Sequence, residues 1–226
     1  MVVDLKEMAA REAVKHVDNG MVVGLGSGST ASIAIRLLGE KIKEGWKLTG
    51  IPTSRESEVL GRSVGISIGE LKDFPEVDLT IDGADEVDPE LNLIKGLGGA
   101  LVREKIVADA TKTEIIIVDE SKLVGSLGQK CPLPIEMVKF ASESTMHRLK
   151  RFGCVPTLRE KNGLAFITDN GNLIADCKFQ RIDNPAKMES DLNLVPGVVD
   201  NGLFVGLTDK VIVASKGGVR TIEFNG

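Results

Sequence analysis

The first half of the chain alternates between helical and extended patterns of apolar residues. Apolar positions recur at helical spacing from Met8 to Val17, behind Asp4, a residue suited to the N-cap, and a continuous apolar run follows at Met21 to Leu25. Such a run is typical of a strand buried on both faces. Later helices are predicted at 31–38, 54–60 and 100–110, and later strands at 48–51, 78–81 and 114–118. The alternation predicts an α/β fold, an open, mostly parallel, Rossmann-like sheet with helices on both faces.

Beyond Lys122 the pattern changes to short segments separated by turn residues. We expect Pro132 and Pro134 to interrupt regular structure before a helix over 142–151. Short strands are predicted at 155–158, 164–168, 173–178, 211–214 and 219–223. We therefore predict an α/β catalytic domain formed by residues 1–129 with 206–226, and a smaller α+β domain at 130–205 that contributes to oligomerisation.

Composition excludes several classes of protein. With 226 residues, 42% of them hydrophobic, the chain can bury a core without disulfides or metals. Cys131, Cys154 and Cys177 are odd in number and widely spaced, which indicates neither a disulfide framework nor a zinc site. A net charge of −5 and 4% aromatic residues argue against a nucleic-acid partner. The chain has neither a long apolar run nor a basic leader, so we expect no membrane association and a cytoplasmic location.

Polar, glycine-containing clusters follow the predicted strands. Gly26–Thr30 follows the first strand, Asp82–Asp85 and Asp119–Lys122 follow two others, and Lys95–Gly99 leads toward a charged helical segment, Arg103–Lys105. Ligands of open parallel sheets bind beyond the carboxyl ends of the strands. We therefore expect the site at this edge.

The Gly26–Thr30 loop opens a helix, where backbone N–H groups and hydroxyls can surround a phosphate. A nucleotide phosphate loop would require a lysine before the Ser or Thr, and Gly28-Ser29-Thr30 has none. The dinucleotide fingerprint would require a third glycine where Ser29 stands. Nucleoside triphosphate and nicotinamide cofactors are therefore disfavoured, while a simple tight turn stays open as an alternative.

The charged residues of the other clusters suit acid-base chemistry on a sugar. Asp82 and Asp85 can grip hydroxyl groups or relay a proton, and Lys95 can approach a developing oxyanion. Glu104 lies in a helical segment between two basic residues. The pattern itself leaves open that all four are solvated surface groups.

Taken together and in order, these segments resemble the type A ribose-5-phosphate isomerase family over essentially the whole chain. The matching segments are Gly-Ser-Gly-Ser-Thr at 26–30, Asp-Gly-Ala-Asp at 82–85, Lys-Gly at 95–96, Arg-Glu-Lys-Ile at 103–106, Asp-Glu-Ser-Lys at 119–122 and Pro-Gly-Val-Val-Asp-Asn-Gly-Leu-Phe at 196–204. Leu97 interrupts the run of glycines that often follows the lysine in this family.

The resemblance implies an aldose-ketose isomerase of the non-oxidative pentose phosphate pathway that interconverts D-ribose 5-phosphate and D-ribulose 5-phosphate through a cis-enediolate. It implies that Glu104 is the catalytic base and that Asp82, Asp85 and Lys95 take part in catalysis. The implied substrate-binding residues are Lys6, Ser27, Gly28, Ser29, Thr30, Gly83, Ala84, Gly96, Leu97, Gly98 and Lys122. It further implies no metal or organic cofactor, and a homodimer or homotetramer.

Two other functions stay open at this point. Acyl-coenzyme A transferases share a related fold and use a glutamate as nucleophile, although the phosphate-type loop and the paired aspartates favour the isomerase. A sugar-phosphate-sensing regulator would normally carry a helix-turn-helix segment, and the chain has no spare basic module for one.

Overall fold

A computed structural model describes residues 4–223; Met1–Val3 and Phe224–Gly226, at the ends of the predicted larger domain, lie outside the described residues. The α-helices of the described chain are α1 (Leu5–Val14), α2 (Gly28–Lys43), α3 (Arg55–Ser63), α4 (Leu101–Asp109), α5 (Ser142–Leu149) and α6 (Pro185–Asn193). The strands are β1 (Val22–Leu25), β2 (Thr49–Pro52), β3 (Ser67–Ile68), β4 (Leu79–Gly83), β5 (Glu86–Val87), β6 (Leu93–Ile94), β7 (Glu114–Asp119), β8 (Leu133–Met137), β9 (Val155–Leu158), β10 (Glu160–Lys161), β11 (Leu164–Ala165), β12 (Leu173–Lys178), β13 (Val198–Asn201), β14 (Leu203–Phe204), β15 (Lys210–Ser215) and β16 (Gly218–Glu223).

The chain divides into two compact units. The first contains the chain up to Ala84, Arg103–Lys122 and the chain from Leu207, and the second contains Asp85–Val102 and Leu123–Gly206. The second unit is larger than the predicted 130–205 domain because it also includes residues 85–102, 123–129 and Gly206. Strand pairing accounts for this difference: β6 pairs antiparallel with both β5 and β14, and Val87 bridges to Leu123.

The first unit is built on a seven-stranded sheet in the order β16-β15-β7-β4-β1-β2-β3. All neighbouring strands pair in parallel except β15 and β16, which form an antiparallel pair at one edge. The predicted fold class, an open and mostly parallel sheet, is confirmed. Among residues 4–223 no helix combines the length and the apolar character that a membrane crossing requires.

Helices cover both faces of this sheet. On one face, α1 and α2 pack against alternate strand residues such as Val23, Ile81 and Ile117. On the other face, Val107 of α4 packs with Ile51 and Val77 in a smaller cluster. Successive strand residues point to opposite faces of the sheet. Because both faces are buried, odd and even positions are both apolar, which produces the continuous apolar runs seen in the sequence.

The second unit contains a four-stranded antiparallel sheet in the order β13-β8-β12-β9. The expectation that Pro134 would interrupt regular structure is wrong, because this residue lies inside β8. The carbonyl of Pro134 accepts a hydrogen bond from the N–H of Gly202. In a strand the nitrogen and the carbonyl of one residue face the same neighbour, so the ring nitrogen of Pro134 also faces the β13 side, just past the end of the β8–β13 ladder. The missing N–H of proline therefore costs no ladder bond.

In the first unit, two glycines let β1 approach β4 closely. A Cβ on Gly24 would lie 1.8 Å from Oγ1 of Thr80, and one on Gly26, just after β1, would lie 2.4 Å from Oδ1 of Asp82. Gly24 and Gly26 are two residues apart, and so are Thr80 and Asp82. Residues at this spacing lie on the same face of a sheet. Polar side chains of β4 therefore occupy the space that side chains of the β1 segment would otherwise fill.

We predict that Gly24→Ala lowers the free energy of unfolding by about 1–3 kcal/mol, because the new methyl group would overlap the buried side chain of Thr80. Gly217→Ala is a matched control, since its nearest neighbour would be Oγ of Ser215 at 3.7 Å. The control should change stability by less than about 0.5 kcal/mol. Denaturant titration measures both, and equal midpoints for the two variants would contradict the role of Gly24.

Candidate active site

The carboxyl ends of parallel strands gather three of the predicted clusters in the first unit. Strand β1 pairs in parallel with β4, and β4 pairs in parallel with β7. The chain leaves these strands at Leu25, Gly83 and Asp119, directly next to the Gly26–Thr30 loop, the Asp82–Asp85 turn and the Asp119–Lys122 segment. The predicted convergence on one sheet edge is therefore present within this unit.

Asp82 connects two of these loops. Its side chain is 1% exposed, and Oδ1 accepts hydrogen bonds from the N–H of Ser27 at 3.0 Å and from the N–H of Gly83 at 2.7 Å. Hydrogen bonds from backbone N–H groups to a carboxylate are stronger than neutral ones. Asp82 is thus a buried anchor for the glycine-rich loop, and the surface-turn alternative does not apply to it.

The hydroxyl of Ser27 lies beside two other hydroxyl groups that the sequence did not identify. Its Oγ lies 2.8 Å from Oγ1 of Thr53 and 2.8 Å from Oγ of Ser54. Thr53 is fully buried and donates to the carbonyl oxygen of Leu25 at 3.0 Å. Hydroxyl residues are common in turns, so the sequence of the segment after β2 does not by itself indicate a role at the loop. Only the parallel pairing of β1 with β2 brings this segment beside the loop.

Positive charge gathers near the start of α2. The ammonium of Lys6 donates to Oγ of Ser29 at 2.9 Å, and the N-terminus of α2 lies at Gly28. Burial acts to raise the pKa of Asp119, but hydrogen bonds from Ser121 and the charges of Lys122 and Lys6 together lower it. Both lysines therefore lie close enough to Asp119 to stabilise its ionised form. The edge combines hydroxyls, a helix N-terminus and two cations, which are groups that can bind an anion.

Glu104 lies in the first turn of α4 and is 6% exposed. The sequence left open that it belongs to a solvated charged face. Its burial excludes that alternative, while its neighbour Ile106 is 53% exposed and lies on the outer side of the helix. Buried carboxylates are rare because they lose hydration. Glu104 is therefore one of four buried glutamates in the described residues, with Glu86, Glu114 and Glu136, and it is the one that lies in the predicted Arg103–Lys105 cluster.

Lys95, in the second unit, is also buried, with 2% of its surface exposed. Its ammonium lies 5.4 Å from the centre of the Phe204 ring, a distance at which a cation is attracted to the aromatic face. Its backbone N–H donates to the carbonyl of Gly202 at 2.9 Å. A Cβ on Gly202 would lie 2.3 Å from the carbonyl oxygen of Lys95, so this close approach requires glycine. No physical argument from the sequence alone singles out Gly202 or Phe204.

The loop after Lys95 accommodates the leucine that interrupts its glycines. Positive φ angles occur at Gly96 (101°) and Gly99 (87°), the two positions where glycine is needed, whereas Leu97 lies outside the left-handed region. The Leu97 side chain is 41% exposed, and its N–H donates to Oδ2 of Asp85 at 3.0 Å. Leu97 therefore fits the loop without backbone strain, and Asp85 and Leu97 are brought together.

The predicted residues are thus distributed over both units. The first unit holds Lys6, Ser27, Gly28, Ser29, Thr30, Asp82, Gly83, Ala84, Glu104 and Lys122, and the second holds Asp85, Lys95, Gly96, Leu97 and Gly98. In the described range 4–223, no three His, Cys, Asp or Glu side chains are grouped so that they could hold a metal ion.

Several known proteins resemble this chain over nearly its whole length. Residues 49–218 match the profile of ribose 5-phosphate isomerase A (phosphoriboisomerase A). The chain is 51% identical to ribose-5-phosphate isomerase A of Gloeobacter violaceus, covering 96% of this chain and 95% of the relative. It superposes with a TM-score of 0.94 on a D-ribose-5-phosphate isomerase solved in complex with phospho-erythronic acid, at 46% identity over 97% of each chain. For ribose 5-phosphate isomerase from Plasmodium falciparum the TM-score is 0.95, at 39% identity over 98% of this chain and 99% of that one.

These matches cover nearly the full length of the chain and of its relatives. They confirm the resemblance that the sequence motifs indicated and favour an isomerase over an acyl-coenzyme A transferase. The chain belongs to the ribose 5-phosphate isomerase A family.

Proposed function

We propose that this isomerase interconverts D-ribose 5-phosphate and D-ribulose 5-phosphate through a cis-enediolate, with Glu104 as the base that moves the proton. The observation that carries the proposal is the burial of Glu104, which is 6% exposed in the first turn of α4. A carboxylate held away from bulk water can accept a proton from a carbon acid without competition from solvent. The reaction would serve the non-oxidative pentose phosphate pathway.

In the proposed reaction, Glu104 removes the proton from C2 of the open-chain aldose, the C–H electron pair forms the C1–C2 double bond of the enediolate, and the π pair of C1=O moves onto O1. The same carboxyl group then returns the proton to C1 while O2 gives up its proton to form the C2=O bond and O1 gains one, which gives the ketose. No electron acceptor is needed, because oxidation at C2 is balanced by reduction at C1. Asp82 and Asp85 exchange protons with the sugar hydroxyls during ring opening and isomerisation.

Lys95 is proposed to stabilise the enediolate oxygen. Its ammonium is almost fully buried, and the ring of Phe204 lies 5.4 Å away, so its position is fixed before substrate arrives. A cation held in place in a water-poor environment stabilises developing negative charge more than a mobile surface lysine does. The contact with an aromatic face attracts the ammonium but leaves its charge intact.

The substrate phosphate is proposed to bind at the start of α2. The contact of Lys6 with Ser29 and the influence of Lys6 and Lys122 on Asp119 support this assignment. A related isomerase has been solved with phospho-erythronic acid, which also carries a phosphate. The cytoplasmic location and the homodimeric or homotetrameric state stay predictions.

We predict that Glu104→Gln lowers kcat by about 10²–10⁴-fold, because an amide of the same shape cannot accept the proton. KM should change little, since binding does not require the base. Steady-state conversion of ribose 5-phosphate to ribulose 5-phosphate measures both constants. Glu40→Gln is a matched control on the exposed side of α2 and should retain full activity.

Thermal melting checks that the Glu104 variant remains folded. A folded variant with near-normal turnover would remove Glu104 from the role of base. If the parent enzyme is active and Glu104→Gln is equally active, the isomerase function stands and another residue accepts the proton.

We predict that Thr30→Glu raises KM for ribose 5-phosphate strongly, because a carboxylate at the start of α2 would repel the phosphate dianion and remove a hydroxyl donor. The melting temperature should hold or rise slightly, since a negative charge near a helix N-terminus favours the helix. Some loss of kcat is also expected, because phosphate binding helps to position the reacting carbons.

Unphosphorylated ribose is the matched substrate for this test. It should be a poor substrate of the parent enzyme and should lose much less on Thr30→Glu, because it carries no dianion. Equal impairment with both substrates would mean that the loop shapes the sugar site, and the proposed orientation of the substrate would be wrong.

A further inference from the structure

The guanidinium group of Arg159 contacts the backbone of the loop that carries Lys95. Nη1 donates to the carbonyl oxygen of Gly96 at 2.8 Å and to the carbonyl oxygen of Leu97 at 3.0 Å. Arg159 lies 62 or more residues away along the chain from both of them. Two successive peptide groups after Lys95 are thus held by one side chain.

Arg159 is itself held in a fixed orientation. Nε donates to Oδ2 of Asp176 at 2.8 Å, and Nη2 makes a second, parallel bond to Oδ1 of the same carboxylate. The side chains of Arg159 and Asp176 are only 11% and 23% exposed. A paired fork of this kind fixes the plane of the guanidinium as well as its position. The backbone of Arg159 is also anchored, since its N–H donates to the carbonyl of Ile174.

A second contact from the same region braces the end of the loop. Phe166 lies against Gly99, where a Cβ would fall 2.5 Å from the ring, and the Arg159 guanidinium lies 5.9 Å from the centre of that ring. The N–H of Phe166 donates to the carbonyl of Arg159 at 2.9 Å. Arg159 and Phe166 therefore form one packed support beneath the loop from Lys95 to Gly99.

The arginine also determines which way the peptide N–H groups point. The peptide bonds joining Gly96, Leu97 and Gly98 are trans, so each N–H is directed opposite to its carbonyl. Because both carbonyls face Arg159, the N–H groups of Leu97 and Gly98 face away from it. The N–H of Leu97 reaches Oδ2 of Asp85 at 3.0 Å, which places a predicted catalytic aspartate on the opposite side of the loop from the arginine.

We propose that Arg159, oriented by Asp176, is a positioning residue for the isomerase reaction: it fixes the peptide groups after Lys95, and through them the placement of Lys95 and Asp85. This inference rests on the proposed roles of Lys95 and Asp85. Arg159 acts on turnover through the loop backbone. It binds the main-chain oxygens of Gly96 and Leu97, so its contacts do not depend on the side chains of the loop.

The first test is Arg159→Lys, which keeps the charge but cannot form the paired fork and bind two carbonyls at once. We expect kcat to fall about 10–100-fold, because small displacements of catalytic groups have effects of that size, while KM changes less than about threefold. Hydrogen exchange of the amides at 95–99 should become faster in the variant. Arg181→Lys is the matched control in the same unit, since its pair with Asp183 is exposed, and it should leave kcat and exchange unchanged.

A second variant, Arg159→Ala, allows chemical rescue. Guanidinium at low millimolar concentration should restore part of kcat in a saturable manner, whereas urea, which has a similar shape but no charge, should not. A purely structural loss of packing would not respond selectively to guanidinium. If Arg159→Ala does not fold, Asp176→Asn provides the same test of kcat and loop exchange, because it keeps the shape of the carboxylate and weakens the fork.

The proposal is overturned if Arg159→Lys retains kcat within twofold of the parent, or if KM rises while kcat holds. It is also overturned if rescue by guanidinium and by urea is equal. These outcomes are distinct from a failure of the proposed catalytic roles, in which Glu104→Gln or Lys95→Met would retain the kcat of the parent enzyme.

Discussion

The close contact between β1 and β4 is the constraint on which the first unit depends. Gly24 and Gly26 leave space along one face of the β1 segment, and Thr80 and Asp82 of β4 fill it. Asp82 can therefore be buried and still satisfy its carboxylate, because the N–H groups of Ser27 and Gly83 lie within 3.0 Å and 2.7 Å. Without glycine at position 26 the carboxylate could not reach Ser27, and the start of α2 would lose its anchor. A packing constraint in the sheet thus sets the geometry of the proposed phosphate loop.

The same relation recurs in the second unit. Gly202 allows the carbonyl of Lys95 to approach within a distance that any Cβ would block, and Gly99 leaves room for the ring of Phe166. In each case glycine occurs where another group must pack directly against the backbone. The glycines of the sequence motifs are therefore explained by their neighbours in space more than by flexibility of the loops.

The sequence predicted the fold class and the sheet-edge clusters because both depend on local patterns. The predicted strand at 114–118 is present and extended by one residue, since its apolar run identifies a buried strand. Residues 173–178 also form a strand as predicted. The sequence pattern failed for β8, because Pro134 is tolerated there by its place just past the end of the β8–β13 ladder, and β13 lies more than 60 residues later in the chain. No sequence pattern singled out Thr53 or Arg159, whose contacts are with partners distant in sequence. Phe204 was included only as part of the matching segment 196–204. The pattern of apolar and polar residues likewise did not predict that Glu104 and Lys95 are buried.

The charge of the chain illustrates why local geometry matters more than composition. The net charge of −5 gives no hint of an anionic substrate, yet Lys6 and Lys122 both act on Asp119, and Lys6 also reaches Ser29. Asp119 has a lowered pKa, so it stays ionised at neutral pH and offsets part of the charge of the two lysines. In the proposed function, a phosphate dianion supplies the remaining negative charge. The field at the start of α2 is therefore set by three neighbouring groups and the helix terminus, whatever the total charge of the protein.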